Sequence, residues 1–204
     1  MVLLGTGSEW FWACLQFFAV LVSLVLIYIQ IKIQTSQLKI QTLAHTEQFK
    51  IQNASHTVQS LSVIHSRWNS DSMLRARHHV CSRWVNGHYE FDATAQYVAE
   101  FLEELGTYVR IHAVSDREMW DVQSWYIEHY FCMFKDGMEQ YQKSCKDKNL
   151  YAEFSTLYDC MNKINRELHS PDTHKSEEDI EEFLHYEISL SESLLKAKFA
   201  NKSK

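Results

Sequence analysis

Residues 10–29 read WFWACLQFFAVLVSLVLIYI, a run of twenty residues with no charge and only two clearly polar members. Twenty residues of α-helix rise about 30 Å, which is the thickness of the hydrocarbon core of a bilayer. Trp10 and Trp12 at one end and Tyr28 at the other lie where interfacial aromatic belts form. The run therefore predicts a transmembrane helix over residues 10–30.

A cleaved signal peptide is the alternative for this run. Residues 1–9 contain no Lys or Arg, the run is longer than a signal-peptide core, and no small-residue cleavage site follows it. These features favour a retained anchor. Because Lys32 and Lys39 follow the span, the positive-inside rule predicts residues 1–9 as an exoplasmic tail and the chain from residue 30 onwards as cytoplasmic.

The next stretch, residues 30–52, repeats one phrase three times, as IKIQ, LKIQ and FKIQ. Alternating steps of four and three residues from Ile33 follow a mostly apolar line that Gln37, Glu47 and His65 interrupt. This line predicts a helical stalk over residues 31–66 that pairs with further copies as a coiled coil. The alternative is that it packs against later helices of the same chain. The apolar members, called the seam, are Ile33, Ile40, Ala44, Ile51, Ala54, Val58 and Leu61.

Composition favours an all-α fold. The chain has one Pro and five Gly in 204 residues, and neither occurs from Ser8 to Asn86, which disfavours sheets with tight turns. The five cysteines are odd in number and form no CxxC pair, which indicates reduced thiols.

The charged residues are distributed unevenly along the chain. Residues 1–89 carry 7 Lys/Arg and 3 Asp/Glu, a net charge of +4, and residues 90–204 carry 13 and 23, a net charge of −10; the sum is −6. A basic N-terminal part followed by an acidic C-terminal part suits contact of the basic part with anionic lipids.

Capping residues mark the starts of the helices that follow the stalk. Asn69 or Ser70 is expected to cap a helix that Gly87 closes in a left-handed conformation. Asp92 is expected to cap the next helix. The stretch 115–118, with Ser first and Glu last, predicts a capping box that opens a third helix ending near residue 145.

Two further helices are expected, over about residues 149–168 and 177–199. The sequence thus predicts a small cytoplasmic bundle of four or five helices over residues 67–170, with the aromatic residues as its core. An acidic C-terminal helix and tail follow over residues 171–204.

The polar cluster that most strongly indicates a binding site lies in residues 65–89, which carry four Arg, four His and no Lys. A planar guanidinium captures phosphate or carboxylate through two parallel hydrogen bonds, so this cluster suits an anionic, nucleotide-type ligand. The alternative is that the arginines pair with the chain's own acidic helices, for example with Glu100, Glu103 or Glu104. The candidate ligand-binding residues, called the Arg/His patch, are Arg67, Arg75, Arg77, His78, His79 and Arg83.

Other chemistry has weaker support. A di-iron bundle needs an ExxH pair on each of two helices, and only Glu182 to His185 supplies one. Residues 78–81 lack the spaced ligands of a structural zinc site, and no nucleophile elbow, Walker loop or GxGxxG occurs. We therefore expect no metal, no cofactor, no catalytic residue, no enzymatic activity and no nucleic-acid partner. Glu103, Glu104 and the acidic residues of the last helix are expected to be solvated surface.

The order of these parts resembles a family of bacterial single-pass membrane proteins, catalogued as domain of unknown function number 4760. Beyond the anchor and the IKIQ-type stalk, three stretches carry the resemblance, which covers about residues 8–165. It implies a bacterial inner-membrane location and no assigned activity. The stretches are RWNSDSMLRAR (67–77), YVAEFLEELGTYVR (97–110) and SDREMWDVQSWYIEHYF (115–131), and the second matches an FxExxG element through Phe101, Glu103 or Glu104, and Gly106.

Two functional hypotheses follow. The first is a non-enzymatic, membrane-tethered scaffold or sensor that acts through a protein partner or through its own copies. The second is a ligand-gated membrane effector in defence or stress signalling, in which an anionic nucleotide-type signal binds the Arg/His patch. The expected partners are the lipid bilayer, further copies through the stalk, a protein of unknown identity and, for the second hypothesis, an anionic small ligand.

Overall fold

The computed structural model describes residues 9–168 and 176–202 of the chain. Within these ranges the chain forms six α-helices and no β-strand. The prediction of an all-α fold with one long apolar N-terminal helix is confirmed. The helices are α1 (Glu9–Trp68), α2 (Asp71–Val85), α3 (Ala93–Arg110), α4 (Asp116–Cys145), α5 (Ala152–Leu168) and α6 (Glu177–Lys202).

The chain divides into two units, and Met1–Ser55 is the first. Its described residues all belong to α1, and every one of them is exposed. Among the described helices, α1 is the one that is long and apolar enough to cross a membrane, judged by length and composition. The predicted exoplasmic tail, residues 1–9, lies outside the described residues except for Glu9.

The second unit, His56–Lys204, is called the compact unit. The end of α1 belongs to it, because Ile64 and Trp68 are buried in its core. Helix α6 belongs to it as well, since Phe183 is fully buried. The compact unit therefore begins within the predicted stalk, before residue 67, and includes the predicted acidic C-terminal helix.

Local capping decides where several helices begin. The side chains of Ser70 and Asp92 accept hydrogen bonds from the first-turn backbone N–H groups of α2 and α3. Ser115 and Glu118 form the predicted capping box at the start of α4. Gly87 adopts φ +77° just after α2, a conformation that favours glycine. These helix boundaries were predicted because each depends on residues only a few positions apart.

Helix α5 begins just after Tyr151, later than the predicted start near residue 149. Tyr151 takes the left-handed φ of 59°, which an α-helix cannot contain. The cap of α5 comes from another helix: the Glu103 carboxylate accepts hydrogen bonds from the backbone N–H groups of Glu153 (3.2 Å) and Phe154 (2.6 Å). A carboxylate at this end is favoured by the helix dipole.

Helices α3 and α5 approach each other closely at Gly106. A Cβ atom there would lie 2.6 Å from the carbonyl carbon of Glu153, so a larger residue does not fit. One turn earlier Glu103 caps α5, and Phe101 stacks on Trp68 with ring centroids 5.2 Å apart. The residues of the FxExxG element thus hold α3 against its neighbours. The expectation that Glu103 is solvated surface is wrong, because its carboxylate is partly buried and bonded to the first turn of α5. Burial raises its pKa even though these two backbone hydrogen bonds oppose the shift.

We expect Gly106→Ala to lower the free energy of unfolding by about 1–3 kcal/mol, because the added methyl group must push α5 away from α3. Thermal unfolding of the full chain in detergent micelles, followed by circular dichroism, measures the effect. Thr107→Ala is the matched control, since the Thr107 hydroxyl bonds to the carbonyl oxygen of Glu103 within α3 itself. Equal melting temperatures for the two variants would contradict the close approach.

Candidate functional site

The Arg/His patch lies on α2, except for Arg67 near the end of α1. The structure does not bring its six members together on one open surface, because their burial differs. Arg67, Arg75 and His79 are exposed, His78 and Arg83 are partly buried, and Arg77 is fully buried.

Two outer arginines of the patch are paired with carboxylates. Arg67 Nη1 forms an ion pair with Glu104 Oε1, one of the acidic partners that the alternative expectation named. Arg83 pairs with Asp92, the cap of α3, and with Glu90 at 2.7 Å. Exposed pairs of this kind contribute on the order of 0–1 kcal/mol each. Their effect is mainly to orient α1 and α2 relative to α3 and the loop before it.

Arg77 lies at the centre of the compact unit. Its Nε donates to Glu187 Oε1, and both side chains are 0% exposed. Its Nη1 donates to the carbonyl oxygen of Trp68 at 3.0 Å. The guanidinium carbon also lies 4.0 Å from the ring centroid of Trp68 and 5.4 Å from that of Tyr126. A buried cation needs this set of partners, because an isolated charge in the core would be strongly destabilising.

Two neutral side chains extend this network beyond Glu187. The Tyr130 hydroxyl donates to Glu187 Oε1 at 3.4 Å, and Cys81 Sγ lies 3.6 Å from that hydroxyl. Burial raises the pKa of Cys81 to about 12 and the pKa of Tyr130 well above its ordinary value. Both groups therefore stay protonated near neutral pH and add no second negative charge. The set Trp68, Arg77, Cys81, Tyr130 and Glu187 is called the polar centre, and it joins α1, α2, α4 and α6.

Helix α6 packs mainly against α2, and the two run antiparallel. The face of α2 that carries much of the Arg/His patch is therefore occupied by α6. An anionic ligand would have to displace α6 to reach Arg77. Besides Arg77 with Glu187, the contacts are Asp71 with Lys198 (2.9 Å), His78 with Ser191 (3.2 Å) and Arg75 over the ring of Phe199 (5.5 Å).

The seam residues lie along α1, and most of them are exposed. Ile33, Ile40, Ile51 and Val58 are 54%, 65%, 68% and 67% exposed, and the two alanines of the seam, Ala44 and Ala54, are exposed as well. Leu61, in the compact unit, is partly buried and packs against its core. Packing on later helices of the same chain, the alternative expectation, therefore holds for the last seam residue.

The histidine-rich composition does not converge on a metal site in the part of the chain that the structure describes. Residues 9–168 and 176–202 contain no group of three or more His, Cys, Asp or Glu that could hold a metal ion. His185, from the ExxH pair of α6, is exposed and lies 4.0 Å from Glu181.

Sequence reasoning missed the polar centre, because it grouped Arg77 with exposed arginines and Glu187 with a solvated acidic face. A signal was present in the spacing. Each of these two charged residues has apolar residues three and four positions away along its helix, so it lies on the apolar face of that helix. A pair of opposite charges in such positions predicts a buried ion pair. The stripes contain Met73, Leu74, Val80 and Cys81 on α2, and Ile180, Phe183, Leu184 and Ile188 on α6.

We expect Arg77→Met and Glu187→Leu each to lower the free energy of unfolding by about 3–5 kcal/mol, because each leaves an unpaired buried charge. The double variant is expected to be more stable than either single variant, since no charge is then left in the core. Chemical unfolding of the full chain in detergent micelles, followed by tryptophan fluorescence, gives the double-mutant cycle.

Glu104→Gln is the matched surface control for this cycle, because it breaks the exposed pair with Arg67 and should change the free energy of unfolding by no more than about 1 kcal/mol. Additive effects of Arg77→Met and Glu187→Leu would show that the two side chains do not form a buried pair.

We expect Cys81 to resist maleimide labelling of the native chain at about pH 8, because its thiol is buried and its raised pKa leaves almost no thiolate. Cys145 is exposed and should label under the same conditions. Peptide mapping by mass spectrometry reads out both sites, and both should label after unfolding in denaturant. Labelling of Cys81 at the rate of Cys145 in the native chain would contradict the closed packing of α6 on α2.

Comparison with known proteins supplies no relative for this arrangement: no family model, no curated protein and no solved structure matches the chain. The resemblance to the family numbered 4760 rests on the quoted sequence stretches alone.

Proposed function

We propose that this protein is a non-enzymatic, membrane-anchored helical scaffold that self-associates through α1 and holds its compact unit in the cytoplasm. One observation carries the proposal: every described residue from Glu9 to His56 is exposed in the single chain, although many of them are large and apolar. A helix with this much uncovered apolar surface requires a second apolar phase or a partner.

The first part of the exposed stretch suits a bilayer. Residues 10–29 are uncharged, and their apolar side chains are exposed, such as Phe17 at 65% and Leu26 at 61%. Lipid would cover these side chains. It offers no hydrogen bonds, but the polar backbone groups of a helix are already hydrogen-bonded to each other. Lys32 and Lys39 follow and favour the cytoplasmic side, where each contributes about 1 kcal/mol near anionic lipid. We place the anchor in the bacterial inner membrane, as the family resemblance suggests.

The second part of the exposed stretch suits further copies of the chain. The seam continues after the span at coiled-coil spacing, and Ile40 and Ile51 are each about two-thirds exposed. Fully burying such a side chain is worth about 1.5–3 kcal/mol, so several of them together can hold helices in register. Gln37 and Glu47 interrupt the seam and would limit its stability while they select its register.

The compact unit suits protein contacts rather than capture of an anionic signal. Three of the four arginines of the Arg/His patch are paired with carboxylates: with Glu104, with Asp92 and Glu90, and with Glu187. The fourth, Arg75, lies over the ring of Phe199. The acidic surface that remains is a feature that a protein partner with basic groups could match. These contacts give the ligand-gated hypothesis no separate support.

We expect the full chain to sediment as an oligomer in density-matched detergent, and Ile40→Asp and Ile51→Asp each to shift it toward the monomer mass, because a charge in the seam disfavours burial between helices. Gln41→Asp and Gln52→Asp are the matched controls, since they place the same charge one residue off the seam. A monomeric wild-type chain, or equal masses for seam and control variants, would overturn self-association through α1.

A further inference from the structure

Two adjoining cavities lie along the middle and second half of α4, where the segment after α2 and the start of α6 approach that helix. Their volumes are about 540 Å³ and 870 Å³. They have four lining residues in common, so together they form one elongated groove, called the α4 groove. The shared residues are Trp84, Tyr89, Cys132 and Met133.

One wall of the α4 groove is the segment between α2 and α3, which packs firmly on α4. Gly137 allows this approach, because a Cβ atom there would lie 2.9 Å from Phe91 Cγ. The Phe91 ring also meets the buried Phe134 ring with centroids 5.5 Å apart. Arg83 ties the same segment to α2 through two carboxylates. The groove is therefore formed before a ligand binds, as small-molecule sites usually are.

The middle of the α4 groove is aromatic and apolar. The rings of Trp84 and Tyr89 meet edge to face with centroids 5.0 Å apart. Tyr89 is 65% exposed, Trp84 is partly buried against the core, and Met133 beside them is buried. Aromatic faces attract ammonium groups, and apolar side chains favour contact with methylene groups.

Carboxylates lie on both sides of this aromatic middle. Glu177 and Glu181 of α6 line only the first cavity, whereas Asp136 and the arginine-paired Glu90 line only the second. Among the residues that the structure describes, Asp136 and Glu177 form no ion pair, and Glu181 lies 4.0 Å from His185. The described lining residues of both cavities include no Lys or Arg. The charge of the groove therefore selects a cation.

The separation of these carboxylates decides which cation fits. A metal ion needs ligands that converge, and no group of three or more His, Cys, Asp or Glu in residues 9–168 and 176–202 could hold one. An elongated organic cation can instead reach carboxylates on both sides of the groove. Methylene groups suit the apolar middle better than a peptide backbone does, since each backbone amide needs hydrogen-bond partners.

We propose that the α4 groove binds a linear aliphatic polyamine, a methylene chain with ammonium groups at both ends. One ammonium group lies at Glu177 and Glu181, the other lies at Asp136, and the chain between them crosses Trp84 and Tyr89. The site does not depend on the proposed self-association, which concerns α1 before the compact unit.

The test uses radiolabelled spermidine as the probe, in equilibrium dialysis against the full chain in phosphatidylcholine nanodiscs, with empty nanodiscs as the blank. This lipid carries no net charge, so it does not concentrate a polycation as anionic lipids do. We expect saturable binding at low ionic strength with a Kd on the order of 0.1–1 mM, because exposed ion pairs are individually weak.

Two unlabelled competitors test whether the site needs a cation on each side. The compounds 1,8-diaminooctane and 8-amino-1-octanol have the same methylene chain, but the second carries a hydroxyl in place of one ammonium group. The diamine should displace spermidine at a concentration at least about fivefold lower.

Three variants assign the binding to the groove. Asp136→Asn and Glu181→Gln each remove a charge on one side, and Tyr89→Ala removes an exposed ring; each should weaken spermidine binding at least about fivefold. Glu139→Gln on α4 and Glu178→Gln on α6 are the matched controls, since they remove the same charge outside the groove and should change the Kd less than about twofold. Circular dichroism melting curves check that each variant folds.

Three results would overturn the proposal: no saturable binding of spermidine to the wild-type chain, unchanged binding to Tyr89→Ala, or equal potency of the diamine and the amino alcohol. Equal losses for groove and control variants would show a response to net charge alone, which also overturns it. Displacement by tetralysine but not by 1,8-diaminooctane would assign the groove to a basic peptide instead.

Discussion

Arg77 and Glu187 place opposite charges in the core of the compact unit, where each is tolerable only because the other is present. If α2 and α6 separated, each of these two charges would lose its partner. The pair also sets the register between these helices. A slip of one residue along α6 would put Tyr186 or Ile188 opposite the guanidinium and leave Arg77 unpaired. The ion pair therefore contributes more to specifying one arrangement than to net stability.

The same guanidinium also fixes the end of α1. Trp68 is the last residue of α1, and its carbonyl is one of the four at a helix C-terminus that find no partner within the helix. Arg77 Nη1 donates to this carbonyl, and the indole ring is held between Phe101 and the guanidinium. A single buried side chain thus bonds to the C-terminus of α1, contacts the ring of the same terminal residue and pairs with a carboxylate of α6.

Sequence reasoning succeeded where structure is decided locally and failed where it depends on distant partners. The capping box at Ser115 and the left-handed Gly87 involve neighbouring residues, so their positions followed from the sequence. The cap of α5 comes from Glu103, about fifty residues away, and Arg77 meets Glu187 across 110 residues. An apolar stripe can show that a charge will be buried, but it does not identify the partner. For the same reason the Arg/His patch was read as a surface.

The packing of Trp68 bears on how the compact unit can respond to a ligand. A ligand shifts a conformational equilibrium only if it binds two states with different affinity. Trp68 is enclosed by Phe101, Tyr126 and Arg77, which contact its ring from three sides. A ligand that moved the end of α1 would therefore have to disrupt these three contacts. This packing suits a scaffold, whereas gating would require a second packing of the polar centre.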